Sequence, residues 1–283
     1  MLTSAYMSID IGVDNTCAVI TNNGESPLII NGRGAKSVNQ KYNKDIARYK
    51  SIWDKCNKTA LNEARKAAGL PCVMSSKRID AITRNRNNRI TDMFHKISRV
   101  IADKANRDGV CAIVIGKNTD WKQNSNLGRQ NNQNFVHLPF AKLIDMITYK
   151  ARNYGIRVIT VDEKYTSGTS FLDGEDPVKE NYNKKRRIHR GLFRAKNALI
   201  NADVNAACQI LKKAYPMAFD ETALKRNIRA CGRLGSTAGD SGRPVSFTYE
   251  AARAMLNPVK CDVDELLTIA GNPALANVIS HAC

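Results

Sequence analysis

Apolar and polar positions divide the chain into short strand-like runs at both ends of a long, polar, helical middle. Met7 to Thr16 (MSIDIGVDNT) is an apolar-rich run with Asp10 in its middle, broken at Gly12 and followed by a second run from Cys17 to Thr21. That is the pattern of a β-hairpin, and Pro27 to Asn31 offers a third strand. Residues 33–69 have helical composition, and after a break at Gly69 and Pro71 the serines Ser75 and Ser76 are candidate caps for a second helix. In that helix Ile90, Met93, Phe94, Ile97, Val100 and Ile101 recur at helical spacing. Val110 to Ile115 (VCAIVI), ended by Gly116, reads as a strand covered on both faces. Pro139 then opens an amphipathic helix to about Tyr154, and Ile156 to Val161 forms a strand ending at Asp162 and Glu163. Strand, helix, strand in this order implies a right-handed parallel crossover with the two strands side by side or nearly so. The last clear helical pattern is Ala202 to Ala214. Past Pro216 the periodicity fades, 233–244 reads as a linker, and 245–283 are expected to form at most one or two short helices.

Composition changes the picture through charge. Lys and Arg number 44 against 26 Asp and Glu, a net charge of +18, and residues 33–107 hold 19 of the bases against 6 acids. Such a field attracts polyanions, and nucleic acid is the expected partner. Lys77, Arg78, Arg84, Arg86 and Arg89 cluster at the start of the second helix; Lys184, Lys185, Arg186, Arg187 and Arg190 form another group in KKRRIHRGLFR. Both are candidate backbone contacts, the alternatives being a solvated helix face for the first and an unstructured charge run for the second. The segment 117–137, with six Asn and three Gln, could touch backbones or base edges, or be a polar surface loop. Aromatic residues make up only 6% of the chain, so phosphate contact rather than an extensive stacking platform is expected. Eight scattered cysteines without a C-x-x-C pair fit reduced thiols in a cytoplasm. No run of about 18 apolar residues points to a membrane. Histidines 95, 137, 189 and 281 share no metal spacing.

The candidate chemistry rests on three carboxylates. An unpaired carboxylate is costly to bury, so Asp10 among Ile9, Ile11 and Val13 is a candidate metal ligand, or else a water-facing edge residue. Glu163 falls at the carboxyl end of a strand, where open α/β sheets place their ligands. Asp203 opens a helix, where an acid also interacts favourably with the helix dipole. Acids so placed can converge on divalent cations.

IDIGVDN, the segment from VIGKNTDW through ARNYGI, VDEKYTSGTS and NADVNAA together resemble the RuvC-type nuclease core of the TnpB proteins. These OrfB transposases are encoded by insertion sequences and are similar to type V CRISPR effectors. The resemblance covers about residues 5–214. It implies an α/β, ribonuclease H-like mixed sheet of five strands flanked by helices, and an RNA-guided DNA endonuclease. It also implies Asp10, Glu163 and Asp203 as catalytic acids holding two Mg²⁺ or Mn²⁺ ions, with DNA and a guide RNA as partners. The domain division that follows is 1–214 for the nuclease, including a basic helical insertion at 33–107, and 215–283 for a tail.

Two departures from the family shape the expectation. Only nine residues precede Asp10, so the family's guide-binding N-terminal lobe is expected to be missing. The interval between Glu163 and Asp203 contains no cysteine, so no zinc ribbon is expected there. The alternative functions are a nucleic-acid-binding remnant that does not cut by itself and, more remotely, an actin-like phosphotransferase. The latter would need a second Gly-rich phosphate loop, which the sequence lacks.

Overall fold

The alternation around Asp10 produces a strand because its two faces meet two different layers of apolar side chains. In the computed structural model, which describes residues 5–56, 58–117, 138–189, 191–196, 198–219 and 259–261, β1 (Ala5–Ile11) and β2 (Asn15–Thr21) form the antiparallel hairpin, and β3 (Leu28–Asn31) pairs antiparallel with β2. β4 (Val110–Lys117) runs parallel to β1 on its other side, and β5 (Arg157–Asp162) runs parallel to β4. A further strand, β9 (Val259–Cys261), pairs parallel with β3. The sheet order is β5-β4-β1-β2-β3-β9. The five strands expected from residues 5–214 are therefore joined by a sixth from the tail. Three residues are too few to carry a period that would reveal this strand in the sequence, and the short helices expected in 245–283 otherwise lie outside the described residues.

Met7, Ile9 and Ile11 face one layer, formed by the later turns of α3 (Lys77–Arg107) and by α4 (Phe140–Arg152). Ile90, Phe94, Ile97 and Ile101 of α3 pack there with Leu143 and Ile147 of α4. The second half of α3 is thus part of the core, the packing end that the helical spacing of Ile90 to Ile101 implies within the basic segment 33–107. Ser76 caps this helix, its hydroxyl accepting from the Ile79 N–H at 3.3 Å. The first half of α3 pairs with α1 (Arg33–Lys55), and α2 (Lys58–Ala67), with no buried residue, follows α1.

The other face of the sheet, with Ala18, Ile20, Ile29 and Val114, is covered by α5 (Ala202–Ala214) through Val204, Ala207, Ile210 and Leu211. Beside α5 lies a small antiparallel sheet of β6 (Arg187–His189), β7 (Leu192–Arg194) and β8 (Leu199–Asn201). Its Phe193 and Ile200 enter the same core. Among the described residues no helix is long and apolar enough to cross a membrane, and Cys17, Cys56, Cys72, Cys111 and Cys208 are free thiols. The linker expected at 233–244, and all of the tail beyond Phe219 except β9, lie outside the described residues.

Candidate active site of three carboxylates

Strand pleat sends Ser8 and Asp10 to the α5 face, opposite to Ile9 and Ile11. Ser8 Oγ donates to the Ala207 carbonyl of α5 at 2.6 Å, which fixes the strand against the helix. Ile9 is level with Ile115 of β4, so Asp10 and Gly116 come next along their strands, and Gly116 in turn pairs with Val161 of β5. Glu163 follows β5 directly. A Cβ at Gly116 would lie 2.5 Å from Ile210 Cδ1 and 3.4 Å from Glu163 Oε2. The bare glycine therefore lets α5 and the Glu163 carboxylate close over the same sheet end that carries Asp10.

Asp203 reaches this end from the first turn of α5. Asn201 caps the helix, its Oδ1 accepting from the N–H groups of Asp203 at 3.0 Å and Val204 at 3.2 Å. The Asp203 carboxylate accepts from Asn15 Nδ2 at 2.6 Å and pairs with Arg187 Nη2 at 3.0 Å. The Glu163 turn is held from both sides. Lys213 of α5 donates to the Asp162 carbonyl at 2.8 Å, and Thr166 Oγ1 donates to the Glu163 carbonyl at 2.8 Å.

The three acids sense one another. Asp10 keeps some solvent access, yet protein packs closely around it, and burial pushes its pKa well above the ordinary carboxylate value. The negative charges of Asp203 and then Glu163 push it further, while Arg187 opposes them. Like charges gathered in a desolvated place need a cation to stay ionised together. An all-oxygen set of this kind matches hard divalent ions such as Mg²⁺ or Mn²⁺. Among the described residues no three His, Cys, Asp or Glu side chains form a ready-made metal cluster; Asp203 is instead turned onto Arg187 and Asn15. The donor chemistry fits a divalent ion, with Arg187 as the cation that now faces Asp203.

Adjacent basic residues have separate jobs that the sequence does not distinguish. Arg187 faces Asp203, whereas Arg186 makes a two-pronged pair with Glu175, Nη1 to Oε2 at 2.5 Å and Nη2 to Oε1 at 2.7 Å. Asp173 lies 3.9 Å from the same guanidinium, and the Ser170 N–H donates to Glu175 at 2.9 Å. Burial acts to raise the Glu175 pKa, but the bonds from Arg186 and Ser170 outweigh it and hold the group below its ordinary 4.5. This clasp anchors the segment that presents Arg187. Replacing Arg186 by Ala is expected to lower unfolding stability by about 1.5–3 kcal/mol, the scale of charged hydrogen bonds with restricted solvent access. A depressed carboxylate stabilises the fold above its unfolded pKa and loses that contribution as pH falls through its folded value. The stability gap between the wild type and Glu175→Gln in urea titrations should accordingly be full at pH 6 and close as pH drops below about 4.5.

Lys184 and Lys185 are exposed, and Arg190 lies outside the described residues, as does nearly all of the amide-rich segment 117–137. On α3, Lys77, Arg78, Arg84 and Arg89 are exposed, with the Arg78 guanidinium 5.4 Å from the Tyr49 ring centre. Arg86 is used inside the helical pair. It donates to Asn39 Oδ1 at 2.7 and 3.2 Å and lies over Tyr42 at 5.3 Å. Sequence reasoning did not single out Asn15, Asn205 or Lys213. The NADVNAA motif held a signal for Asn205, whose buried amide joins the Thr169 carbonyl at 2.8 Å to the Phe171 N–H at 3.0 Å.

A mixed sheet with helices on both faces and acids at one end of its central strands defines a RuvC-type, ribonuclease H-like fold. Solved structures agree. The chain superposes on a Cas12f1–sgRNA–target DNA complex with a TM-score of 0.51 at 20% identity, covering 74% of this chain and 50% of that one. It superposes on a CRISPR-Cas12f ternary complex with a TM-score of 0.51 at 21% identity, covering 73% and 38%. Residues 3–122 match the OrfB_IS605 family, described as a probable transposase, and residues 140–210 match the Cas12f1-like TNB domain. TnpB-like protein ORF457 of Acidianus two-tailed virus is 25% identical over 217 residues, which is 76% of this chain and 43% of that protein. The CRISPR-associated endodeoxyribonuclease Cas12f2 of Micrarchaeota archaeon (strain CG1_02_47_40) is 35% identical over 129 residues, 42% of this chain and 23% of that protein. The chain is thus similar to TnpB-like and Cas12f proteins, through the OrfB_IS605 match in its first half and the Cas12f1-like TNB match after it. It spans less than half the length of these curated relatives.

Proposed function

We propose that the chain is the metal-dependent, DNA-cleaving core of an RNA-guided endonuclease of the TnpB type. The observation that carries this reading is the meeting of Asp10, Glu163 and Asp203 at one end of one sheet face, where each acid raises the cost of ionising Asp10. Asp10 and Glu163 would hold the ions from the strands, and Asp203 from the helix. Bound in this site, two divalent cations would activate a water and stabilise the leaving 3′ oxygen of a phosphodiester. Arg187 is placed to turn from Asp203 to the non-bridging oxygens of the scissile phosphate, and Asn15 keeps the Asp203 carboxylate oriented. Residues 1–214 would form this nuclease unit, and 215–283 the tail. The partners are DNA and a guide RNA; the related Cas12f1 was solved with both kinds of nucleic acid. The test is DNA cleavage in Mg²⁺ or Mn²⁺ with a guide RNA transcribed from the flanking locus. If wild-type chain binds the DNA well and leaves it intact under these conditions, it is a binding remnant.

The basic face of α3 supports nucleic-acid binding by this same protein. Replacing Arg84 and Arg89 by Ala should weaken DNA binding and flatten the log–log salt dependence by ~2, since each lost phosphate contact removes about 0.9 from the slope. Filter binding across a salt series measures it. Arg86→Ala should lower the unfolding midpoint instead, because it strips Asn39 and Tyr42 of their partner.

A further inference from the structure

Two tyrosines from separate segments meet at the Glu163–Thr166 turn. Tyr165 follows Glu163 by two residues, Tyr182 precedes the basic run, and their rings stand edge to face with centroids 5.9 Å apart at 69°. Tyr165 is 37% exposed and Tyr182 40% exposed, so both residues remain accessible to solvent.

Both are held by built contacts. Tyr165 has φ +69°, and among the described residues it is the sole non-glycine with a positive φ, a region that a bulky side chain rarely enters. Thr169 Oγ1 donates to the Tyr165 carbonyl at 2.9 Å, and Thr169 is itself tied to α5 through Asn205. A glycine would adopt this backbone without strain, so the tyrosine ring supplies something that a glycine would not. Tyr182 lies flat against Gly168, where a Cβ would come within 2.4 Å of its Cε2, and the Asn183 N–H donates to the Gly168 carbonyl at 2.9 Å. Exposed cations flank the pair along the chain, Lys164 next to Tyr165 and Lys184 and Lys185 just after Tyr182. An aromatic step with lysines beside it in the chain fits one ligand chemistry, a single-stranded nucleic acid with its bases on the rings and its phosphates on the lysines.

We infer that Tyr165 and Tyr182 form a nucleobase-stacking step that feeds a single strand toward Asp10, Glu163 and Asp203. This rests on the nuclease reading and adds to it the two side chains that would hold unpaired bases beside the site. A base that is paired and stacked in a duplex cannot offer its face to the rings, so the step selects strands that have been unwound.

The test compares two fluorescein-labelled 20-nucleotide probes in EDTA, one of oligo(dT) and one of the same length with abasic tetrahydrofuran residues. The wild type should bind the base-bearing strand about tenfold more tightly, the scale of one or two stacked bases. Tyr165→Ala should remove most of that preference. So should Tyr182→Leu, which retains the packing on Gly168 without a π face, whereas Tyr182→Phe should keep the preference. The double variant Lys184→Ala/Lys185→Ala should weaken both probes equally. Equal binding of the two probes by wild type, or an unchanged preference in both Tyr165→Ala and Tyr182→Leu, overturns the inference. Because binding in EDTA does not depend on cleavage, a failure here is separate from a failure of the nuclease reading, which Asp10→Asn tests.

Discussion

Asp10→Asn is expected to lower metal-dependent DNA cleavage by about a thousandfold, the scale of losing a centrally placed charge at a phosphoryl centre. Asparagine keeps the shape of the side chain, so the β1 pairing with β2 and β4 should survive, and the circular dichroism spectrum with it. The loss should be large because the pleat leaves no substitute: Ile9 and Ile11 point to the opposite core, and the Ser8 hydroxyl is committed to Ala207. DNA binding should be preserved or rise slightly, since one negative charge facing the phosphates is gone. Single-turnover cleavage and equilibrium binding on the same preparation separate the two effects. Equal cleavage by variant and wild type would remove Asp10 from the catalytic set.

Phe94→Ala is expected to destabilise the protein by about 3–5 kcal/mol, the range for emptying a buried aromatic site. That is a large share of the roughly 5–15 kcal/mol that keeps a domain folded. Phe94 is fully buried and stacks with Phe140, with ring centroids 6.4 Å apart. It joins α3 and α4 beneath the strands that carry the acids. Leu61→Ala on α2, where the side chain is 42% exposed, should by contrast cost less than about 0.5 kcal/mol. Urea denaturation of both variants measures how far the core extends into the basic segment. If Leu61→Ala proved as costly as Phe94→Ala, α2 would belong to the core as well.

What the sequence revealed of this fold was whatever a short period could encode. The β1–β2 hairpin, the β4–α4–β5 crossover and the helix α5 all carry clear alternation or 3.6-residue spacing, and the structure has each of them. Asp10 stood out because an acid within an apolar strand is energetically anomalous, and Glu163 because it ends a strand. Long-range pairing was not legible. Arg186 and Arg187 are identical neighbours, and only the fold sends one to Glu175 and the other to Asp203. Arg84, Arg86 and Arg89 read as one cationic group, but helical geometry turns Arg86 inward to Asn39. Asn15 closes the IDIGVDN segment, but nothing local says what it faces; it matters because the hairpin brings it within 2.6 Å of Asp203, 188 residues away. Tyr165 and Tyr182 were hidden by a low overall aromatic content, which says nothing about where two rings meet.

A crystal structure of the protein grown in Mn²⁺, read by anomalous scattering, tests the three-acid metal site most directly. The expected result is two peaks about 4 Å apart at the end of β1, with the Asp10 carboxylate bound to metal and Asp203 released from Arg187. Peaks confined to other surface carboxylates, with Asp203 still paired to Arg187 at saturating Mn²⁺, would contradict the metal-dependent nuclease site.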